Sequence, residues 1–211
     1  MKKRPPLLVA IVGGSGSGKT WLAKRLKREL RGNAAHLSLD HFYRDRSHLS
    51  PNRRARLNFD TPACIDWKTF HRVLSTALRS RSIRLPSYDF KTHCRLSRQV
   101  AFTPKPIVLV EGLWLLRPPF LRRLFAFAVF LDCPIRKRLR RRLDRDLHSR
   151  GRSPVSVRAQ FWKTVQPMHK KFVQPQRRRA DLIALGDCGE REVEKIAATL
   201  SSLRAIASDR G

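Results

Sequence analysis

"GGSGSGKT", Gly13 to Thr20, follows an apolar run, Leu7–Val12, and precedes a segment with leucines at positions 22, 26 and 30. The octet satisfies G-x-x-x-x-G-K-[ST], a motif that carries meaning when a buried strand leads into it and a helix leaves it. Glycines let successive backbone N–H groups turn toward a phosphate, and the helix N-terminus adds partial positive charge. Lys19 is placed to reach β- and γ-phosphates, and Thr20 to offer its hydroxyl to Mg²⁺. Gly13, Gly14, Ser15, Gly16, Ser17 and Gly18 are thus candidate nucleotide contacts beside Lys19 and Thr20. A flexible Gly/Ser linker would have neither flank.

The same alternation continues outward. His36–Leu39 reads as a second strand ending at Asp40, and Asp66 as the cap of an amphipathic helix carrying Phe70, Val73, Leu74, Ala77 and Leu78 inward. Ile83–Asp89 and Gln99–Phe102 read as short edge strands of a hairpin-like insertion. Ile107–Val110 and Ala126–Leu131 are buried-strand runs, and Ala180–Leu185 is a last strand. A helix is expected from Ile135 to Gly151 with Leu139, Leu143 and Leu147 buried, another over Gln160–Phe172, and one over Glu190–Leu203. Strands alternating with helices predict an α/β class: a three-layer P-loop NTPase fold with a mainly parallel sheet. The expected organisation is one domain over 1–211, with a small β insertion at 83–103 and an Arg-rich helical segment at 135–160.

With 211 residues and 41% hydrophobic content the chain can close a core. Its balance of 46 Lys and Arg against 16 Asp and Glu, a formal charge of +30, favours anionic partners or a solvated Arg-rich surface. Four widely spaced cysteines show no metal-ligand spacing and suit reduced thiols in a cytoplasmic protein. "MKKRPPLLVAIV" superficially resembles a signal peptide, but its apolar run is short and the phosphate loop follows directly. No membrane association is expected.

Phosphate loops serve ATPases, GTPases, helicases and small-molecule kinases alike. No guanine-reading N-K-x-D is present, and the apolar strand "IVLVEG" ends in Glu111 where hydrolysis-driven motors usually carry Asp. Glu111 is a candidate metal ligand, direct or through water; a strand-end ion pair is the other reading. Asp40, in "LSLDHFYR", ends a strand at the expected ligand crevice, where a carboxylate can accept the proton of an attacking hydroxyl. A helix N-cap role would also account for it.

Seven blocks in order, "GGSGSGKT", "LDHFYR", "NFDTPACID", "PSYDFKTHCR", "IVLVEG", "VFLDCP" and "RRLDRDLHSRGR", resemble the uridine kinase branch of the phosphoribulokinase/uridine kinase family over nearly the whole length. The resemblance implies ATP (or GTP) as donor, Mg²⁺, and the 5′-hydroxyl of uridine or cytidine as acceptor. Asp40 is then the base, with Lys19 and Arg145 acting on the transferred phosphate. Asp60 holds the ribose hydroxyls, and Tyr88, Phe90, His93 and Arg95 surround the pyrimidine. Arg142 and Arg145 bridge nucleoside and phosphates, Gln160 adds a nucleoside contact, and Arg150 and Arg152 belong to a lid over the triphosphate. Homo-oligomers are common in the family. Taken singly, Tyr88 and Phe90 would be core residues as often as ligands.

Two other readings stay open. One keeps the fold and changes the acceptor to another riboside, a sugar phosphate or pantothenate. The other is a nucleotide-dependent nucleic-acid-binding protein, although RNP, KH, zinc and helix-turn-helix signatures are missing and aromatics make up only 8%, few for base stacking. No specific nucleic acid is expected as partner. Of the six arginines in "LRRRLDRDLHSRGR", Arg142, Arg145, Arg150 and Arg152 are expected to serve one ATP, and Arg140 and Arg141 to be surface charge.

Overall fold

The computed structural model describes residues 4–209; Met1–Lys3, at the head of the N-terminal apolar run, lie outside them. Strand β1 (Leu7–Gly13) runs through the middle of the main sheet, and all seven of its residues are buried. That sheet has five parallel strands in the order β2-β5-β1-β6-β7, with β2 at Ala34–Ser38, β5 at Ile107–Gly112, β6 at Phe127–Asp132 and β7 at Leu182–Leu185. A strand covered on both faces needs no polar alternation, which is why β1 and β5 read as unbroken apolar runs.

Side chains of β1 divide between two cores. Leu7, Val9 and Ile11 meet Leu22 and Leu26 of α1 (Lys19–Glu29) and Val193, Ile196 and Leu200 farther along the chain. Leu8, Ala10 and Val12 meet a second cluster that includes Phe42, Phe70, Val73, Leu74 and Trp114. Two apolar layers against one sheet make the expected three-layer architecture. Truncating a leucine such as Leu22 or Leu26, both fully buried, would cost about 2–5 kcal/mol.

After β2 a single 3₁₀ turn (Leu39–Phe42) bends the chain, capped by the Ser38 hydroxyl, which accepts from the Asp40 backbone N–H at 3.2 Å. Ser38 and not Asp40 is therefore the cap, and the carboxylate is left for other use. Short helix α2 (Pro51–Ala55) precedes α3 (Trp67–Leu78), whose Asp66 cap accepts from the Thr69 N–H at 3.1 Å. Strands β3 (Ile83–Asp89) and β4 (Cys94–Phe102) form a separate antiparallel pair. β4 begins five residues earlier than its sequence suggests, because backbone pairing to β3 and not side-chain burial holds Cys94–Arg98. A one-turn α4 (Pro119–Arg122) follows β5.

Helix α5 (Ile135–Arg150) ends at Gly151, whose φ of 62° is the left-handed geometry of a helix stop. Its buried face corrects the sequence reading: Arg138, Arg142 and Asp146 are buried, whereas Leu139, Leu143 and Leu147 are only half-buried. The charged i, i+4, i+8 row faces inward because Ser15, Gln160, Gln166 and the Cys133 carbonyl accept from its arginines, and Asp146 pairs with Arg142, Arg145 and Arg150. Helix α6 (Pro154–Gln160) runs on through π-helical turns at Phe161–Val165 and His169–Val173 on either side of α7 (Gln166–Met168). Pro167 cannot donate a backbone hydrogen bond, and the ladder shifts register around it. The chain closes with β7 and α8 (Glu190–Asp209). Among the described residues, no helix is long and apolar enough to cross a membrane.

Candidate active site

The carboxyl ends of β1, β2 and β5 open on a cleft of about 420 Å³ that is roofed by α5 and α6 and walled by the β3–β4 hairpin. Its floor is the glycine loop. Gly16 and Gly18 adopt φ of 78° and 100°, and a Cβ on Gly16 would sit 2.4 Å from the Arg138 carbonyl oxygen. Only glycine meets both demands at that point. Lys19 lies under the loop and donates to the Gly14 carbonyl at 3.0 Å. Burial lowers the pKa of its ammonium, and the charges of Glu111 and Asp40 oppose that shift.

Thr20 and Ser38 both donate to Glu111 Oε1, each at 2.9 Å, and His36 Nε2 stands 3.8 Å from the same oxygen. Burial alone would push the Glu111 carboxyl up, yet His36, Lys19 and Ser38 hold it down, at about 2. An ionised carboxylate touching a threonine hydroxyl at the end of a phosphate loop is an all-oxygen donor set suited to Mg²⁺. No cluster of three or more His, Cys, Asp or Glu able to hold a metal occurs among the described residues. An ion here would complete its shell with phosphate oxygens and water.

Asp40 lines the same cleft, and no hydrogen bond from protein to its carboxylate is found among the described residues. Burial and the neighbouring Glu111 raise its pKa, against Lys19, Arg150 and Arg145.

On the hairpin side, Tyr43 stacks on Tyr88 at 5.2 Å, and Phe90 meets both rings edge-on at 5.4 and 5.0 Å. His93 lies flat on Phe59 at 3.9 Å and 7°, with its own φ at 56°. Burial, then Arg150 and Arg152, keep its imidazole less basic than usual. Asp60 Oδ2 accepts from Thr164 Oγ1 at 2.8 Å and from Gln160 Nε2 at 3.5 Å. These two donors sit one turn apart, aimed together by the first π-helical turn.

Arginines converge on the cleft from α5 and the two residues after it. Arg142 donates to Ser15 Oγ and Gln160 Oε1, both at 2.9 Å, which ties α5, the glycine loop and α6 together. Arg145 donates to Asp146 at 2.8 Å, Arg150 covers the Phe90 ring at 4.4 Å, and Arg152 bonds to Gln160.

The structure gathers Ser15, Gly16, Gly18, Lys19, Thr20, Asp40, Asp60, Phe90, His93, Glu111, Arg142, Arg145, Arg150, Arg152 and Gln160 on one cleft. Gly13, Gly14 and Ser17, also expected as nucleotide contacts, belong to the same loop but do not line the cleft. Tyr88 stands behind Tyr43, and Arg95 turns away, donating to the Tyr43 carbonyl at 3.0 Å and to Asp66 at 3.1 Å. Arg141 is no free surface charge: it donates to the Gly186 and Ser17 carbonyls at 2.7 and 3.3 Å. Arg140 is exposed as expected. Sequence reasoning passed over Tyr43, Phe59, Thr164 and Asp146. The first two lie inside the quoted blocks "LDHFYR" and "NFDTPACID", where aromatics beside Asp40 and Asp60 were a usable signal.

The model of the phosphoribulokinase/uridine kinase family matches residues 8–186. A uridine kinase of Chloroflexus aurantiacus is 40% identical over 182 residues, covering 86% of this chain and 87% of its own. A uridine kinase of Brevibacillus brevis is 38% identical over 179 residues, covering 84% of each chain. Among solved structures, a putative fructose transport system kinase from Silicibacter sp. TM1040 superposes with a TM-score of 0.70 at 22% identity, over 87% of this chain and 91% of that one, a likeness of fold.

Proposed function

The chain belongs to the phosphoribulokinase/uridine kinase family of ATP-dependent kinases, and on that footing we propose that it transfers the γ-phosphate of ATP to the 5′-hydroxyl of uridine or cytidine. The observation that carries the reading is Asp40: a carboxylate without hydrogen bonds from the described residues, in one cleft with Lys19 on one side and Asp60, Phe90 and His93 on the other.

The glycine loop and Lys19 would hold the β- and γ-phosphates, with Arg145, Arg150 and Arg152 above them. Thr20 and Glu111 would hold Mg²⁺, which neutralises phosphate charge when bound. Asp60 would accept from the ribose hydroxyls while Thr164 and Gln160, both donating to its Oδ2, hold the carboxylate in place. Phe90, Tyr43, Phe59 and His93 give the base an aromatic wall and a polar edge. Asp40 would take the proton of the attacking hydroxyl, and its raised pKa makes it a better acceptor than an ordinary carboxylate. Aligning the two reactants in a space from which the lid excludes water supplies much of the rate.

An assay with Mg·ATP across uridine, cytidine, adenosine, pantothenate, nicotinamide riboside and ribulose 5-phosphate tests this reading. Turnover confined to the two pyrimidine nucleosides is expected. Preference for pantothenate or a sugar phosphate would overturn it.

A further inference from the structure

Three of the lid arginines meet at one carboxylate. Asp146 is wholly buried, with 0% of its surface exposed. Its Oδ1 accepts from Arg145 Nε at 2.8 Å and stands 3.5 Å from Arg150 Nε, while its Oδ2 stands 3.4 Å from Arg142 Nε. In each case the contact is made through Nε, the inner edge of the guanidinium. An arginine held by that edge points its two terminal nitrogens the other way, as the fork that grips phosphate. The terminal nitrogens of Arg142 go to Ser15 and Gln160. Those of Arg145 and Arg150 meet no protein hydrogen-bond acceptor among the described residues, and both side chains line the cleft.

We infer that Asp146 is a positioning residue: one buried carboxylate that grips Arg142, Arg145 and Arg150 from behind and aims the forks of Arg145 and Arg150 at the place of the transferred phosphate. A solvated surface ion pair would not be dry, and a purely structural counter-ion would have no reason to take three guanidinium groups by the same edge. Two of the three contacts are longer than good hydrogen bonds, and Oδ2 has no hydrogen-bond partner among the described residues. The grip is therefore looser than three full hydrogen bonds. The surrounding arginines hold the Asp146 carboxyl below its usual range despite burial, so it stays charged while doing this. The inference rests on the phosphoryl-transfer reading above only for what the forks bind.

Asp146→Asn and Asp146→Glu test it, each compared with the native chain by three measurements. The first is the ¹⁵N-resolved arginine Nε–H signals, assigned through Arg145→Lys and Arg150→Lys. The second is the dissociation constant of inorganic tripolyphosphate, and the third is kcat and KM for Mg·ATP with uridine. In Asp146→Asn the protected Nε–H signals should disappear and kcat should fall at least about tenfold. Tripolyphosphate affinity should change by no more than about threefold, or rise, because a negative charge has left the lid. Asp146→Glu keeps the charge and shifts the grip by one methylene, so it too should lose kcat with affinity retained, and it serves if the Asn variant does not fold. Nε–H signals that persist in Asp146→Asn, an unchanged kcat, or kcat and affinity falling together would overturn the assignment. If the native chain phosphorylates no nucleoside, the functional reading fails by itself. The Nε–H and tripolyphosphate measurements then still decide the role of Asp146.

Discussion

Thr164 donates its hydroxyl hydrogen to Asp60 Oδ2 at 2.8 Å, joining a helical turn to a loop 104 residues earlier in the chain. A hydrogen bond to an ionised carboxylate contributes about 1.5–3 kcal/mol. Thr164→Val keeps the shape and removes the donor. We expect the nucleoside KM to rise about tenfold while the KM for ATP stays within about twofold, measured by steady-state kinetics with each substrate varied in turn. A matched rise in both constants would remove Asp60 from the acceptor side.

Asp40→Asn leaves the cleft's shape and takes away its base. Turnover should drop by about 10²–10⁴-fold, the usual contribution of general-base catalysis. Affinity for an unreactive ATP analogue, measured by calorimetry, should stay within a few-fold. Turnover near the native value would mean that the proton leaves by another route.

Glu111→Gln removes the charge that Thr20, Ser38 and His36 surround. The Mg²⁺ concentration for half-maximal rate should rise about 10–100-fold, as when a metal site loses a supporting group. Titrating Mg²⁺ at fixed ATP checks this, and an unchanged midpoint would leave Glu111 as a structural acceptor.

His169 predicts a pH dependence of stability. Burial, then the charge of Arg138, lowers its pKa from 6.5 to about 4, and its Nδ1 is buried without a partner. Between those values the unfolded chain binds a proton that the folded chain refuses. Stability is thus fully present above about pH 6.5 and is lost progressively as pH falls toward about 4, by on the order of 3 kcal/mol in all. Denaturant unfolding at pH 7.5 and pH 5 should show a smaller pH difference in His169→Gln than in the native chain. An equal difference would place the acid sensitivity elsewhere.

Much of the fold was legible because it follows from local chemistry. A run such as Leu7–Val12 before "GGSGSGKT" has few alternatives to a central strand and a phosphate loop. The two carboxylates at strand ends, Asp40 and Glu111, could be placed for the same reason: parallel strands bring their carboxyl ends to one edge. Helix α5 turns the row beside its leucines fully inward and leaves the leucines half-buried, because position in a helix gives a face but not its partner. The row at 138, 142 and 146 is polar and the row at 139, 143 and 147 is leucine, so the sequence favours burying the leucines. Ser15, Gln160, Gln166 and the Cys133 carbonyl, which accept from Arg138 and Arg142, reverse that choice. Arg95 and Tyr88 were placed in the pocket by resemblance. They are register partners in the hairpin, and that pair lies against the Tyr43 segment behind the cleft wall.

The close approach of Gly16 to the Arg138 carbonyl has a mechanical result. The first turn of α5 is clamped to the phosphate loop at Gly16, so any tilt of the helix would pivot about Arg138. Arg150 lies twelve residues beyond that point, about 18 Å at 1.5 Å per residue. Tilting such an arm by roughly 10° carries its end about 3 Å, one hydrogen-bond length, and moves Arg142 only about a third as far. Opening and closing would thus be felt at the tip, while the arginine nearest the loop hardly leaves its post.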